Sequence, residues 1–267
     1  MGAGPFTSGL SVADFALSRL AGVEPLAQVM GSSVYKVGWQ GYPWGSWSWG
    51  GALCTELEAL TDAWNEARRL ALGRLAEHAG RAGADAVVDV TFDTRRHDFL
   101  EDEIEVVVNG TAARVAGLEP PGGRRPILTD LSLPDYVLLR KAGYEPVGVV
   151  TATSVCYVVP SWRTQQLTTG WQRLQPNQEL VDYTQGIYEA RELALGRAGD
   201  TAWRLGADGV VGTDIRHDVA VREVDQNNRR REDLIVTIHV VGTGIAQRGE
   251  HRPLQPQIVV RQGARSA

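Results

Sequence analysis

The side chains best suited to chemistry in this sequence are two His-Asp pairs, His97-Asp98 and His217-Asp218, each preceded by an arginine. An imidazole beside a carboxylate can coordinate a borderline metal ion such as zinc, or accept a proton near neutral pH. We therefore take all four residues as candidate ligands of a divalent metal. The alternative is a solvated polar turn, which is the more common meaning of so short a match, because adjacent residues on a strand point to opposite faces.

Thiolates are the ligands that soft metals prefer, and the chain has two cysteines, Cys54 and Cys156. They lie far apart in the sequence, which contains no Cys-x-x-Cys and no His-x-x-x-His spacing. Each cysteine is therefore expected to be a small buried hydrophobe rather than a metal ligand. A single possible pair in a chain of this size also gives no sign of a secreted disulfide scaffold.

Aromatic residues are concentrated in residues 38–51, where Trp39, Trp44, Trp47 and Trp49 stand among glycines. Large rings with a polar edge can form a stacking platform for a carbohydrate or an aromatic ligand, an anchor at a membrane surface, or a protein contact. We take these four tryptophans as candidate ligand-binding residues. The competing interpretation is that the segment folds back over the core or completes a contact between subunits.

Several functional classes are not favoured by the sequence. It contains no nucleophile elbow, no paired-carboxylate motif and no glycine loop that could cradle a phosphate, so we lean towards a protein that is not an enzyme. The net charge of -5 gives no reason to expect a nucleic-acid partner. The most apolar segment, residues 147–159, is rich in β-branched residues and predicts a buried strand rather than a transmembrane segment. Without a signal-peptide pattern, the expected location is the cytoplasm.

The elements that would position these residues occur twice. Glu66 to Arg74, followed by Gly83 to Val88, reappears as Glu189 to Arg197, followed by Gly206 to Val211, at one constant offset (from 66 to 189 and from 83 to 206). A tandem duplication fits a chain of 267 residues, which is long enough for two small domains. We therefore predict a first domain over 1–117, a linker over 118–130, a second domain over 131–248, and a polar tail over 249–267.

Each copy is predicted to contain an apolar strand or strand pair, a long amphipathic helix, and two closing strands joined by a polar connection. Thr55 and Asn177 are the expected helix N-caps, and Gly83 and Gly206 the expected glycines after the helix ends. In the second copy, the polar connection is expected over 218–231. The predicted class is α+β, with the order ββαββ and one long helix on a small sheet in each copy.

A family resemblance is carried by Glu66-Ala-Arg68, Ala82 to Val88 and Gly110-Thr-Ala112, with their counterparts Glu189-Ala-Arg191, Leu205 to Val211 and Gly242-Thr243. In this order the sequence resembles the YbjQ-like family, which is described as heavy-metal-binding. The resemblance covers most of both copies. It implies a small α+β domain that assembles into a ring, typically of five subunits. In both copies a tryptophan-containing segment replaces the family's loop before the long helix.

Two functions are expected from these observations. The first is a non-enzymatic, ring-forming homo-oligomer that acts as a scaffold or binds a small ligand or divalent metal between subunits. The second is an enzyme, or a protein binding carbohydrate or aromatic ligands, that uses a cleft between subunits lined by the tryptophan segment. Five domains cannot be shared evenly among two-domain chains, so a pentamer would stack a ring of first copies on a ring of second copies. Alternatively, the two copies alternate in one even-numbered ring.

Overall fold

The computed structural model describes residues 7–42, 53–96, 103–118, 125–168, 177–226 and 229–248. The helices and strands are α1 Val12–Ala21, β1 Val23–Lys36, β2 Leu53–Glu56, α2 Glu58–Arg81, β3 Ala86–Arg96, β4 Glu103–Val115, β5 Ile127–Leu128, α3 Leu133–Lys141, β6 Tyr144–Val159, α4 Trp162–Thr168, α5 Val181–Arg204, β7 Gly209–Gln226 and β8 Arg229–Gln247. None of these helices is long and apolar enough to cross a membrane.

The strands form two four-stranded sheets, one with the order β1-β4-β3-β5 and one with the order β2-β6-β8-β7. Each sheet contains three long antiparallel strands in the same relative order, β1-β4-β3 and β6-β8-β7, and a long helix packs on each sheet. The predicted α+β class is confirmed. β2 precedes the helix of the first copy, yet it pairs with β6 and so belongs to the sheet of the second copy.

Two short helices, α1 and α3, precede the first strand of each copy and were not predicted. Ser11 and Ser132 begin them, and each hydroxyl accepts a hydrogen bond from the backbone N–H three residues on, at Asp14 and Asp135. The Ser-x-x-Asp spacing is a capping signal in the sequence that could have located both helices.

The predicted N-caps of the long helices are wrong. Thr55 lies within β2, and α2 follows Leu57, which makes no side-chain capping bond; α5 likewise follows Leu180 and not Asn177. For α2 the reason is a tertiary contact. The Leu57 N–H donates to the carbonyl of Val155 at 2.8 Å, and this hydrogen bond fixes the start of α2 against the second sheet. The predicted glycines at the other ends are confirmed, since Gly83 and Gly206 have φ of 74° and 70°.

The polar connection predicted over 218–231 is also wrong in its extent. β7 continues to Gln226, and β8 starts at Arg229, so most of this segment is a regular antiparallel ribbon. Valines at alternate positions, Val219 and Val221, suit this strand despite the surrounding charges. The corresponding connection of the first copy includes 97–102, which lie outside the described residues.

Close packing of α2 on the first sheet depends on a glycine. Gly31 of β1 lies directly beneath the helix, where an added Cβ would come within 2.6 Å of the backbone nitrogen of Leu75 and closer still to the carbonyl of Ala71. The register places Ala152 of β6 opposite Val240 as it places Gly31 opposite Val108, so the second copy has an alanine where the first has this glycine. α2 can therefore pack this closely on β1 only because Gly31 has no side chain.

We predict that Gly31→Ala lowers the free energy of unfolding by about 1–3 kcal/mol, because the helix backbone must move away from the strand. Chemical denaturation would measure the change. Gly73→Ala, on the exposed side of α2 with no atom within 4 Å of the new Cβ, is the control and should raise stability by up to about 1 kcal/mol. Equal stability of Gly31→Ala and the wild type would contradict the packing described.

Candidate functional site: the interface between the two copies

The two copies meet along the free edge of β6. β2 pairs with β6 only from Cys156 to Val159, which leaves the backbone groups of the preceding residues on this edge without a strand partner. The start of α2 replaces that partner: the Thr61 hydroxyl accepts from the Val155 N–H at 3.0 Å, and the Asn65 side chain bonds both the N–H and the carbonyl of Thr153 at 2.9 Å. One helix thus covers the edge that a further strand would otherwise occupy.

Both cysteines lie at this interface, one from each copy. Cys54 of β2 lies opposite Val158 of β6. Its thiol is within hydrogen-bonding reach of Cys156, also on β6, and Glu189 of α5 lies nearby. The hydrogen bond to Cys156, together with burial, raises the pKa of the Cys54 thiol far above its usual value. The expectation of small buried side chains fits Cys156, which is fully buried, whereas Cys54 is partly exposed. Their proximity was not foreseen.

An ion pair joins the copies beside the cysteines. Glu56, at the end of β2, accepts a hydrogen bond from Arg197 of α5 at 2.9 Å. This hydrogen bond to Glu56 raises the pKa of the Arg197 guanidinium. Both side chains are largely shielded from solvent, so the pair helps to fix the first copy's β2 against the second copy's helix.

The described part of the tryptophan segment, residues 38–42, packs on the interface as well. Gln40 accepts a hydrogen bond from the Leu60 N–H in the first turn of α2 at 3.2 Å. The Tyr42 ring lies 5.9 Å from that of Tyr157, and the Arg222 guanidinium lies 4.5 Å from the centre of the Tyr42 ring. This part of the segment therefore folds back on the second copy, which agrees with the interpretation that the segment covers the core.

A cavity of 240 Å³ lies between the copies and is partly open to solvent, with Arg68 of α2 and His239 of β8 in its wall. Arg68 is 2% exposed, and burial, with a smaller contribution from Arg216, lowers its pKa to about 10. Burial, together with Arg68 and Arg216, lowers the pKa of His239 to about 3, so its imidazole is neutral at physiological pH. The Nδ1 atom of His239 lies 3.0 Å from the Thr153 hydroxyl.

The larger groove, of about 1040 Å³, lies between α2, α5 and the end of β1 and is open to solvent. Glu66 and Arg69 line it and form an ion pair at 2.6 Å. Gly38, the first residue of the tryptophan segment, also lines this groove, whereas Trp39 and His217 do not. The predicted cleft between subunits stays a prediction.

The predicted site residues are not brought together in the part of the chain that the structure describes. His217 and Asp218 are exposed neighbours on β7, where successive side chains point to opposite faces. Trp39 is 92% exposed. His97, Asp98, Trp44, Trp47 and Trp49 lie outside the described residues, so their roles stay predictions. Over the described ranges, no group of three His, Cys, Asp or Glu residues is placed to hold a metal ion.

The residues that define the interface were missed by sequence reasoning, although one signal was available. Arg68 belongs to the Glu-Ala-Arg segment that both copies keep, and its apparent role was a pair on the helix surface. An arginine on the same stripe as Ala67 and Ala71 is a candidate for burial. For Thr61 and Asn65 no local signal exists, because their partner strand lies almost ninety residues further along the chain (from 65 to 153).

Comparison with known proteins adds the following similarities. A family model described as "Putative heavy-metal-binding" (YbjQ) matches residues 50–116. The chain is 34% identical over 259 residues to the encapsulin nanocompartment protein Rv1762c of Mycobacterium tuberculosis, covering 96% of this chain and 91% of that protein. A UPF0145 protein of Clostridium novyi is 38% identical over 60 residues, which is 22% of this chain and 56% of that protein. A UPF0145 protein of Methanocella arvoryzae is 40% identical over 60 residues, 22% of this chain and 48% of that protein.

We predict that Asn65→Ala lowers the free energy of unfolding by about 2 kcal/mol or more, because both backbone groups of buried Thr153 lose their partner. Glu77→Ala, at an exposed position on the same helix, is the matched control and should stay within about 0.5 kcal/mol of the wild type. Urea unfolding followed by circular dichroism would measure both. Similar small effects for the two variants would show that α2 does not secure the edge of β6.

Proposed function

The chain belongs to the YbjQ-like family, and we propose that it is a self-assembling scaffold in which the contact between its two copies is repeated from one chain to the next. The observation that supports this is the different exposure of matching surfaces in the two copies. The free edge of β6 is covered by the start of α2. On the corresponding edge of β1, over the described residues, only side chains of α2 reach the strand, from Arg74 to the carbonyl of Ser32 and from His78 to the N–H of Met30, and Val34 and the corresponding face of α5 are exposed.

The correspondence follows from the sheet registers. Each first strand has its irregularity after the proline, between Pro25 and Ala27 in β1 and between Pro146 and Gly148 in β6. Counting from the two prolines, Val34 of β1 corresponds to Val155 of β6. The two helices align through their N-caps, Leu57 and Leu180, so Thr184 of α5 corresponds to Thr61. Each residue that makes the contact between the copies therefore has a counterpart in the other copy, in β1 or in α5.

Exposure differs sharply between these counterparts. Val155 is 0% exposed beneath α2, whereas Val34 is 61% exposed at the same position of the first sheet. On α5, Val181 and Tyr188 are each 60% exposed and, with Thr184, line a shallow groove on the outer face of the helix. Each chain therefore exposes an apolar position on the edge of β1 and an apolar face on α5. These two surfaces are the counterparts of β6 and α2, which contact each other within the chain.

Docking of α5 onto β1 of the next chain would join unlike surfaces. Such head-to-tail contacts continue until a ring closes or a filament grows. The copies would then alternate around the assembly, because within one chain they already meet side by side. This contact therefore favours one even-numbered ring of alternating copies, whereas a pentamer with stacked rings stays the alternative prediction. The name of the mycobacterial relative, a nanocompartment protein, agrees with a role in a large assembly, and the cytoplasmic location also stays a prediction.

We predict that Val34→Cys combined with Thr184→Cys forms disulfides between chains under mild oxidation, giving a ladder of cross-linked species on a non-reducing gel. The matched control, Thr61→Cys with Val155→Cys, joins residues that already touch within one chain and should leave the mass of a single chain. Val34→Glu should dissociate the assembly in native mass spectrometry, because a charge would be buried in the contact.

Two outcomes would overturn this proposal. A wild-type chain that is monomeric at micromolar concentration has no such contact. An oligomer that persists in Val34→Glu and fails to cross-link through Val34→Cys and Thr184→Cys uses a different surface, as the stacked arrangement would. Thermal melting of Val34→Glu separates dissociation from loss of the fold.

A second candidate function is the binding of a thiophilic metal ion, which the adjacency of Cys54 and Cys156 favours. Two thiolates suit a two-coordinate soft ion such as silver(I) or copper(I), whereas the tetrahedral donor set that zinc requires is not present among the described residues. Because the pKa of Cys54 is raised, the ion would have to displace a proton, so affinity would fall as the pH falls. A divalent metal at His97, Asp98, His217 and Asp218 stays a prediction, as does a ligand at the tryptophan segment.

We predict that the wild type retains one silver(I) ion per chain after desalting, measured by elemental mass spectrometry, and that Cys54→Ser does not. His217→Ala is the control, since His217 is exposed and lies on β7 rather than at the β2–β6 pair. Equal retention by the wild type and Cys54→Ser would remove the thiol pair as a metal site.

A further inference from the structure

We propose that the cavity between the two copies is a binding site for a small oxyanion, such as a carboxylate or a phosphate group, with the guanidinium of Arg68 as its main ligand. This site goes beyond assembly, because it lies inside one chain and uses residues that the proposed contact between chains does not involve.

Arg68 is a buried cation, and two of its three donor nitrogens are unpaired in the part of the chain that the structure describes. Its side chain is 2% exposed, and its Nε and Nη1 atoms are shielded from solvent with no hydrogen-bond partner among the described residues. The Phe92 ring, 5.7 Å from the guanidinium carbon, covers one side of it. A buried charge without a counter-ion is strongly unfavourable, and a guanidinium presents two parallel N–H groups that match two oxygens of a carboxylate or phosphate.

No carboxylate of the described protein neutralises this arginine. The charged group that acts on it most is Arg216, which is another cation. Arg216 is itself paired with Asp214 at 2.7 Å. The second acidic residue in the wall, Asp130, is engaged with the Thr243 hydroxyl. The cavity therefore has a cationic side around Arg68 for which the described residues supply no counter-charge, so an added anion can supply it.

The cavity also has the size and lining for such a ligand. Its volume is 240 Å³, which holds several atoms or waters, since one water takes up roughly 30 Å³ in the liquid. Thr91 and Thr94 contribute hydroxyl donors, and Val90 and Val241 contribute apolar walls. Neutral His239 stands beside Arg68, with its ring edge-on to Trp64 at 4.9 Å. Asp130 and Asp214 also line the cavity and disfavour a highly charged anion, so we expect a ligand with one or two charges.

Among its described residues, the second copy has no equivalent site. Arg191 corresponds to Arg68 in the repeated Glu-Ala-Arg segment, yet its side chain is exposed on α5. Thr91 and His239 come from different copies, so the cavity exists only where the first copy faces the second. Arg191 is therefore a natural control: it has the same chemistry and helix position but no cavity.

The test is the thermal stability of the full chain, measured with inorganic phosphate or acetate added at constant ionic strength in a Tris chloride buffer. Either anion should raise the melting temperature of the wild type in a saturable manner, because a ligand that binds only the folded state stabilises it. Arg68→Met should lose this shift, and Arg191→Met should keep it. Calorimetric titration with phosphate should show binding weakened about tenfold or more in Arg68→Lys, which keeps the charge and loses the paired donors.

Folding failure would not be mistaken for loss of the site. Replacing a buried unpaired charge with an apolar side chain of similar length is neutral or stabilising. Without added anion, Arg68→Met should therefore melt at the wild-type temperature or above it. The proposal is overturned if neither anion shifts the wild type or gives heat of binding, or if Arg68→Met responds as the wild type does. Native mass spectrometry of Arg68→Met keeps this result separate from assembly, which the variant should leave unchanged.

Discussion

The fold depends on the unsatisfied edge of one long strand. β6 has sixteen residues, and β2 covers only the last four of them, so the N–H and carbonyl groups of Thr153 and Val155 face away from any strand. Burying such groups without partners would cost more than the packing around them could offset. Leu57, Thr61 and Asn65 supply these partners from the first turns of α2. Because these turns follow β2 directly, the strand and the helix dock on β6 as one unit.

This docking makes α2 different from its counterpart α5. α2 packs along its length on the first sheet, and its first half also contacts the second sheet, so its buried residues form one core with Val155 and Tyr157 of β6. α5 packs on the second sheet alone. Its outer face carries Val181 and Tyr188 where α2 has Glu58 and Asn65. The two helices are similar in the residues that face their own sheets and differ in those that face a neighbour.

The sequence predicts this fold well where the determinants are local and poorly where they are not. The repeat, the apolar stripe and the terminal glycines locate both long helices, since each signal lies within the element it specifies. The Ser-x-x-Asp caps of α1 and α3 were equally local and were overlooked. The N-cap at Thr55 failed because pairing with β6 decides where α2 begins. The contact between Cys54 and Cys156 was hidden for the same reason: it depends on a strand crossing from one copy to the other.

Arg68 shows how a repeated motif can acquire different environments in its two copies. The helices place Arg68 and Arg191 at equivalent positions, and neither sequence nor local structure separates them. Their surroundings separate them: β3 of its own copy and β7 and β8 of the second copy surround Arg68, whereas no described element covers Arg191. The surface that covers Arg68 is built from Phe92, Asp214, Arg216 and His239. In the other copy, the sheet registers place Ile215, Thr91, Asp93 and Val107, respectively, at the corresponding positions. A contact between chains of the same geometry would therefore bury Arg191 against a different set of side chains. Assembly through α5 can therefore repeat the backbone contact without repeating the anion site. The assembly proposal depends on the strand edge and helix face, whereas the anion site depends on the particular side chains around Arg68.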